Sequence, residues 1–249
     1  MNPPPSPLPR WLALPYALWA GLVFTVISLT ALALILPLPG LTARRRVARA
    51  AAKLFLMLAG MRLTVRRAER LGEQPFVVVA NHSSYLDGIV LCAALPPRFG
   101  FVIKREMSRV PLANLLLRRI GAQFVDRGRG QKGARDTRKL LKRASKGRSL
   151  AFFPEGTFQA QPGLMRFRAG AFVVAARAQF PVLPVVIRGA RAALPPGGMR
   201  PRPGRVEVSL LEPIPPPAST EHDAVDEVMQ RSRQAILAQL GEPDLALDG

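Results

Sequence analysis

The sequence predicts an α/β domain, with a mostly parallel central sheet flanked by helices, behind an N-terminal membrane-associated helical segment. Three observations carry that expectation. Apolar runs at residues 63–65, 76–80, 100–103, 123–125, 149–153, 182–187 and 206–211 have strand length, and helical patterns separate most of them. Residues 11–38 form a run of 28 without a charge. Directly behind it, residues 43–58 are apolar on one side of a helix and basic on the other. The expected division is residues 1–60 as leader, membrane-embedded helix and amphipathic helix, and 61–249 as the globular domain with an acidic C-terminal helix.

Taken in order, residues 1–10 carry Pro3, Pro4, Pro5, Pro7 and Pro9 and are expected to be an extended leader. The uncharged run that follows exceeds the roughly 20 residues needed to cross a bilayer core and is too long for a signal peptide. Trp11, Tyr16 and Trp19 stand near one end, as interface aromatics do. Arg44, Arg45, Arg46, Arg49 and Lys53 come next, and an excess of cations marks the cytoplasmic flank, so the remainder of the chain is expected on the cytoplasmic side of the cytoplasmic membrane. In residues 43–58, Val47, Ala50, Ala51, Leu54, Phe55 and Leu58 oppose Arg45, Arg46, Arg49 and Lys53. Such a helix suits an anionic membrane surface or a core with one solvated face, and with the first helix it makes either one span or a hairpin in one leaflet.

The formal net charge is +20, from 36 basic and 16 acidic residues, which calls for an anionic partner. Its distribution is uneven. The first 60 residues hold no acid, residues 98–148 carry sixteen Lys/Arg against three Asp/Glu, and nine of the sixteen acids lie after Val206. The single cysteine, Cys92, excludes an internal disulfide and sits in the apolar helical run 89–95, as a core residue does.

Asn81-His82-Ser83-Ser84-Tyr85-Leu86-Asp87-Gly88 reads as a sharp turn between a strand and a helix. On one continuous helix His82 and Asp87 would stand about 140° apart, so they cooperate only across a turn. Asp87 at the head of the next helix is favoured by its dipole, and a carboxylate beside an imidazole makes a base with an orienting partner. Farther on, the short strand 123–125 ends at Asp126 and Arg127, either a surface pair or a bidentate phosphate fork. The helix expected over 134–146 gathers Arg135, Arg138, Lys139, Lys142, Arg143 and Lys146 on one face, suited to lipid headgroups or an acidic carrier. The strand 149–153 then feeds Pro154-Glu155-Gly156-Thr157, a tight turn whose amides can face an anion.

These motifs resemble those of the glycerolipid acyltransferase family. NHSSYLD (81–87) is similar to its first motif, GAQFVDR (121–127) to its second, FPEGT (153–157) to its third and LPVVI (183–187) to its fourth, in the family's order across residues 76–190. Gly163 and Arg166-Phe167-Arg168-Ala169-Gly170 resemble the continuation of the third. The resemblance implies transfer of a fatty acyl group from acyl-CoA or acyl carrier protein to the hydroxyl of a lysophospholipid, foremost 1-acylglycerol 3-phosphate. It implies His82 as general base, Asp87 as its partner, and Arg127, Glu155, Gly156 and Thr157 as the residues that position the acceptor. No metal or cofactor is expected beyond the acyl donor. One departure stands out: relatives that use lysophosphatidic acid commonly carry arginine after Glu-Gly-Thr, and this chain has Phe158. Acylation of another lysolipid, such as an amino-acid-containing one, and a non-catalytic basic protein on anionic membranes are the rival expectations. Nucleic acid is not an expected partner, because aromatics make up only 6% and none interleaves the basic helix.

Overall fold

The computed structural model describes residues 9–125, 140–141, 144, 147–198 and 200–246. The chain opens with α1 (Arg10–Ile35) and α2 (Leu41–Leu58). Then come β1 (Met61–Arg66), β2 (Val77–Ala80), α3 (Asp87–Ala94), β3 (Gly100–Lys104), α4 (Pro111–Arg119), β4 (Gln123–Val125) and β5 (Leu150–Phe152). It closes with α5 (Gly170–Ala178), β6 (Val182–Arg188), α6 (Ala190–Ala193), β7 (Gly204–Leu210) and α7 (His222–Leu240). All seven apolar runs become strands of one sheet, in the order β1-β7-β6-β2-β5-β3-β4. Pairing is parallel everywhere except between β6 and β7.

The centre of the sheet is dry on both faces, as the unbroken apolar run of β2 requires of a parallel strand. Val78 and Ala80 point into one layer, with Phe55 and Leu56 of α2 and Val90 and Leu91 of α3. Val77 and Val79 point into the other, with Phe172 and Ala175 of α5 and Val228 and Ile236 of α7. This alternation is the period-two geometry of a strand.

The division expected at residue 60 falls inside one packed unit. Ala52, Phe55 and Leu56 are buried in the same core as β2, so α2 packs as part of the α/β domain. The basic face of α2 is likewise shared. Arg46 and Lys53 are exposed, but Arg45 is buried and donates to the carbonyls of Ile120, Pro97 and Arg98. Gly100 leaves the space for it, since a methyl there would lie 2.9 Å from an Arg45 Nη. Arg49 donates to the carbonyls of Ala93 and Ala94, the end of α3, where a cation meets the negative pole of the helix.

α1 packs back along α2. The Tyr16 hydroxyl donates to the Ala59 carbonyl at 2.6 Å, the Trp19 indole to the Leu58 carbonyl at 3.3 Å, and Phe24 meets Phe55 edge-on at 5.4 Å. Two of the three aromatics expected at a membrane interface, Tyr16 and Trp19, thus cap the end of α2. The stretch Trp11–Ile35 has a mean hydropathy of 2.3, yet only 28% of its most apolar part is buried in the protein. It is long and apolar enough to cross a membrane. The basic helix expected over 134–146 lies outside the described residues, apart from Leu140, Leu141 and Ala144, of which Leu140 and Ala144 face the core.

Candidate active site

Two neighbouring strands deliver the site. β2 and β5 pair in register Val77↔Leu150 to Val79↔Phe152. Carried three residues past its last pair, that register sets His82 opposite Glu155. There the His82 amide donates to Glu155 Oε1 at 2.6 Å. On the other side of β2, Asn81 clamps β6 with both ends of its carboxamide, donating to the Ile187 carbonyl at 2.9 Å and accepting from the Ile187 amide at 2.7 Å. The loop that carries His82 is therefore fastened to both flanking strands.

Between His82 and α3 the chain folds as the sharp turn that brings residues five apart together. Asp87 is the first residue of α3 and wholly buried. Its Oδ2 accepts from the amides of Ser83 at 2.6 Å and Ser84 at 2.8 Å, and lies 2.9 Å from His82 Nδ1. The Ser84 hydroxyl donates to the Leu194 carbonyl and accepts from the Leu86 amide, which fixes the turn. A carboxylate oxygen facing Nδ1 assigns the proton to that nitrogen and leaves Nε2 with its lone pair, the tautomer a general base needs. The imidazole is 16% exposed, stacked on Phe153 at 4.3 Å and 18°.

Glu155 has a different place from the one expected. It is 3% exposed, and its second oxygen accepts from the Met165 amide at 2.9 Å. Both oxygens are thus spent on backbone amides, one from each of two loops. Burial pushes its carboxyl up to about 8, against the pull of those two amides and with some help from the nearby Asp87 and Glu242 charges. Met165 is itself held from behind. Arg233 of α7 donates to the Leu164 carbonyl at 2.9 Å and the Met165 carbonyl at 3.1 Å, and pairs with Asp244.

The Glu155-Gly156-Thr157 turn needs its glycine twice. Gly156 has φ +83, and a methyl on it would lie 2.8 Å from Arg168 Nε and 3.4 Å from Arg168 Cζ. The Arg168 amide also donates to the Pro154 carbonyl at 2.9 Å, so an exposed guanidinium is seated against the turn. Thr157 is exposed beside it. Phe158 meets the His82 ring edge-on at 4.5 Å and the Tyr85 ring at 4.8 Å. Arg127 lies outside the described residues.

A family profile described as "Acyltransferase" matches residues 62–188, from β1 to the end of β6, with every described site residue named for the His82 loop and the Glu155 turn inside it. The chain belongs to the acyltransferase family. Among relatives of this acyltransferase-family chain, the 1-acyl-sn-glycerol-3-phosphate acyltransferase of Saccharomyces cerevisiae is 30% identical over 75% of the chain and 62% of its own length. The human 1-acyl-sn-glycerol-3-phosphate acyltransferase beta is 31% identical over 83% of the chain and 76% of its own length. The chain therefore spans rather less than two thirds of the yeast relative. Among solved structures, the crystal structure titled 1-acyl-sn-glycerophosphate (LPA) acyltransferase, PlsC, from Thermotoga maritima superposes with a TM-score of 0.74. It covers 90% of this chain and 96% of that one at 22% identity, so it shares the fold.

Three supports of this acyltransferase-family site are not among the residues singled out from the sequence. Asn81 stood inside the first motif with no role assigned. Phe153 ends a strand and opens the third motif, with no sign in the sequence that its ring stacks on His82. Arg233 left one signal: it falls among the buried positions Val225, Val228, Ser232 and Ile236 of α7, where a cation requires a partner.

Proposed function

We propose that this acyltransferase-family protein acylates the free hydroxyl of 1-acylglycerol 3-phosphate with a fatty acyl group from acyl-CoA or acyl carrier protein, giving phosphatidic acid for phospholipid synthesis. The observation that carries the reading is the His82–Asp87 pair at 2.9 Å, with Nε2 left without a hydrogen-bond partner among the described residues. The names of the relatives supply the acceptor.

In this reading the acceptor hydroxyl lies against His82 Nε2. Its oxygen attacks the thioester carbonyl while its proton passes to the imidazole, and Asp87 stabilises the imidazolium through Nδ1–H. When the tetrahedral intermediate collapses, the C–S bond breaks and the thiolate recovers the proton from His82. Glu155 contributes by holding the His82 backbone, while Gly156 and Thr157 position the acceptor, with Arg127 in the phosphate-binding role that the second motif implies. Arg168, seated on Gly156, takes over the cationic role that an arginine at position 158 has in relatives, because Phe158 is committed to the aromatic group around His82. α1 enters the bilayer, and the cations that follow it hold the domain on the cytoplasmic side.

The test is incubation of the purified chain, in mixed micelles, with labelled acyl-CoA or acyl carrier protein thioesters and a panel of lysolipids. Preferential labelling of lysophosphatidic acid is expected. Ready acylation of a phosphate-free lysolipid alone would overturn the acceptor, and no transfer to any of them would overturn the reaction.

A further inference from the structure

The segment after β3 carries large apolar side chains that the fold leaves uncovered. Met107, Val110, Leu112 and Leu115 are each 40 to 59% exposed. They follow one another along a 3₁₀ turn (Arg105–Arg109) and the first turns of α4, with Leu112 and Leu115 on one side of the helix. Leu116 and Leu117 turn the other way, onto Ala31, Ile35 and Ile120. A grouped apolar surface of this kind marks an interaction site.

Charge and continuity name the occupant. Residues 104–119 carry five cations against one acid, Glu106, and the exposed Arg109 and Arg118 flank the apolar stripe. Apolar chains rimmed by arginine match the boundary of an anionic bilayer, with the chains among the upper acyl carbons and the guanidinium groups at the phosphates. The far end of the segment is also tied to α1. The Arg119 guanidinium donates to the Leu36 carbonyl, and Ile120 packs on Ala31 and Ile35. The stripe thus prolongs the exposed apolar surface of α1, where Leu34 is 55% and Leu36 40% exposed.

We infer that residues 105–119 form a second membrane contact that docks on an anionic lipid surface, an inference that rests on α1 being embedded in the bilayer. The segment leaves the carboxyl end of β3, the same sheet edge from which the His82 loop and the Glu155 turn emerge. Docking there sets the candidate acceptor site at the level of the headgroups, so a lysolipid reaches His82 without leaving the membrane.

The test uses the full chain with Cys92→Ala, reconstituted in vesicles of equal phosphatidylglycerol and phosphatidylcholine, with an environment-sensitive fluorophore on Leu112→Cys. Leu22→Cys in α1 and Gln234→Cys on the outer side of α7 are the two references. The fluorophore at 112 is expected to be quenched by a nitroxide placed high on a lipid chain, and to be quenched by aqueous iodide about threefold less than at 234. Iodide quenching at 112 equal to that at 234, while 22 is shielded, overturns this inference and leaves the membrane reading of α1 intact. Exposure at 22 as well overturns both. Shielding at 112 without nitroxide quenching means that protein, not lipid, covers the stripe, and overturns it too.

Discussion

The backbone amide of His82 donates to a buried carboxylate oxygen of Glu155, 2.6 Å away, across the junction of two parallel strands. Glu155 acts on the base through the chain that carries it, and the opposite oxygen does the same for the loop at Met165. A single side chain therefore sets the distance between the two halves of the candidate site.

That placement has a pH signature. Glu155 has its folded value raised from 4.5 to about 8, so the folded protein holds a proton that the unfolded chain has already released. Stability from this group is fully present below about 4.5 and falls as pH rises from there through about 8. Glu155→Gln removes the titration. Its melting temperature should change less than that of the wild type between pH 5 and 8, and a wild-type profile as flat as the variant's would contradict the burial argument.

Removing the base and removing its partner should differ. His82→Ala leaves Asp87 Oδ2 with the amides of Ser83 and Ser84, so the turn survives while acyl transfer falls by about 10²-fold or more. Asp87→Asn sets an NH₂ or a weaker acceptor against three donors inside the protein, so it should lose melting temperature as well as rate. Parallel activity and thermal scans decide. Near-normal rates in a folded His82→Ala would remove the central claim.

The cation at the acceptor site is testable by exchange. Arg168→Ala should raise the apparent KM for lysophosphatidic acid about tenfold with kcat little altered, as expected for a contact made equally in ground and transition states. Phe158→Arg should lower that KM or leave it alone, and the double variant Phe158→Arg/Arg168→Ala should recover most of the loss. Arg127→Ala should raise KM strongly. An Arg168→Ala variant with unchanged KM would place the phosphate elsewhere.

Arg233 joins the C-terminal helix to the site through Met165 and Glu155. Arg233→Met takes the guanidinium from the carbonyls of Leu164 and Met165 and from the Asp244 carboxylate, leaving Leu164 with the Leu245 amide alone and Asp244 with the Ala246 amide, a loss of about 2 kcal/mol for polar groups left under-bonded. Thermal unfolding should show it directly. If the chain of contacts matters, kcat should fall too, and Arg233→Lys should restore stability more than rate, because an ammonium cannot reproduce the planar fork.

Strands were legible from the sequence because each is a short apolar run between loops, and the base and its carboxylate because their chemistry is local to seven residues. Strand order was not legible, and the role of Glu155 depended on it. Only when β2 and β5 are neighbours in one register does residue 155 come to face residue 82. Phe158 was visible as a departure, yet its edge contact with His82 needed the third dimension. Arg45 and Arg49 read as cations of a membrane-facing or solvated face because a periodicity shows which side of a helix a residue is on, not which carbonyls wait there.

The buried Arg45 bears on how the protein can be handled. Three carbonyls in two separate connections of the sheet depend on a guanidinium from a helix that the sequence leaves open between a membrane surface and the core. Cutting the chain at residue 60 to obtain a soluble enzyme would strip those carbonyls and open the core at Phe55 and Leu56, so the product would aggregate for reasons unrelated to lipid. An intact interior needs α1 as well, because Val23 lies in the same core as Phe55 and Leu56, and Ala31 and Ile35 are buried against Ile120.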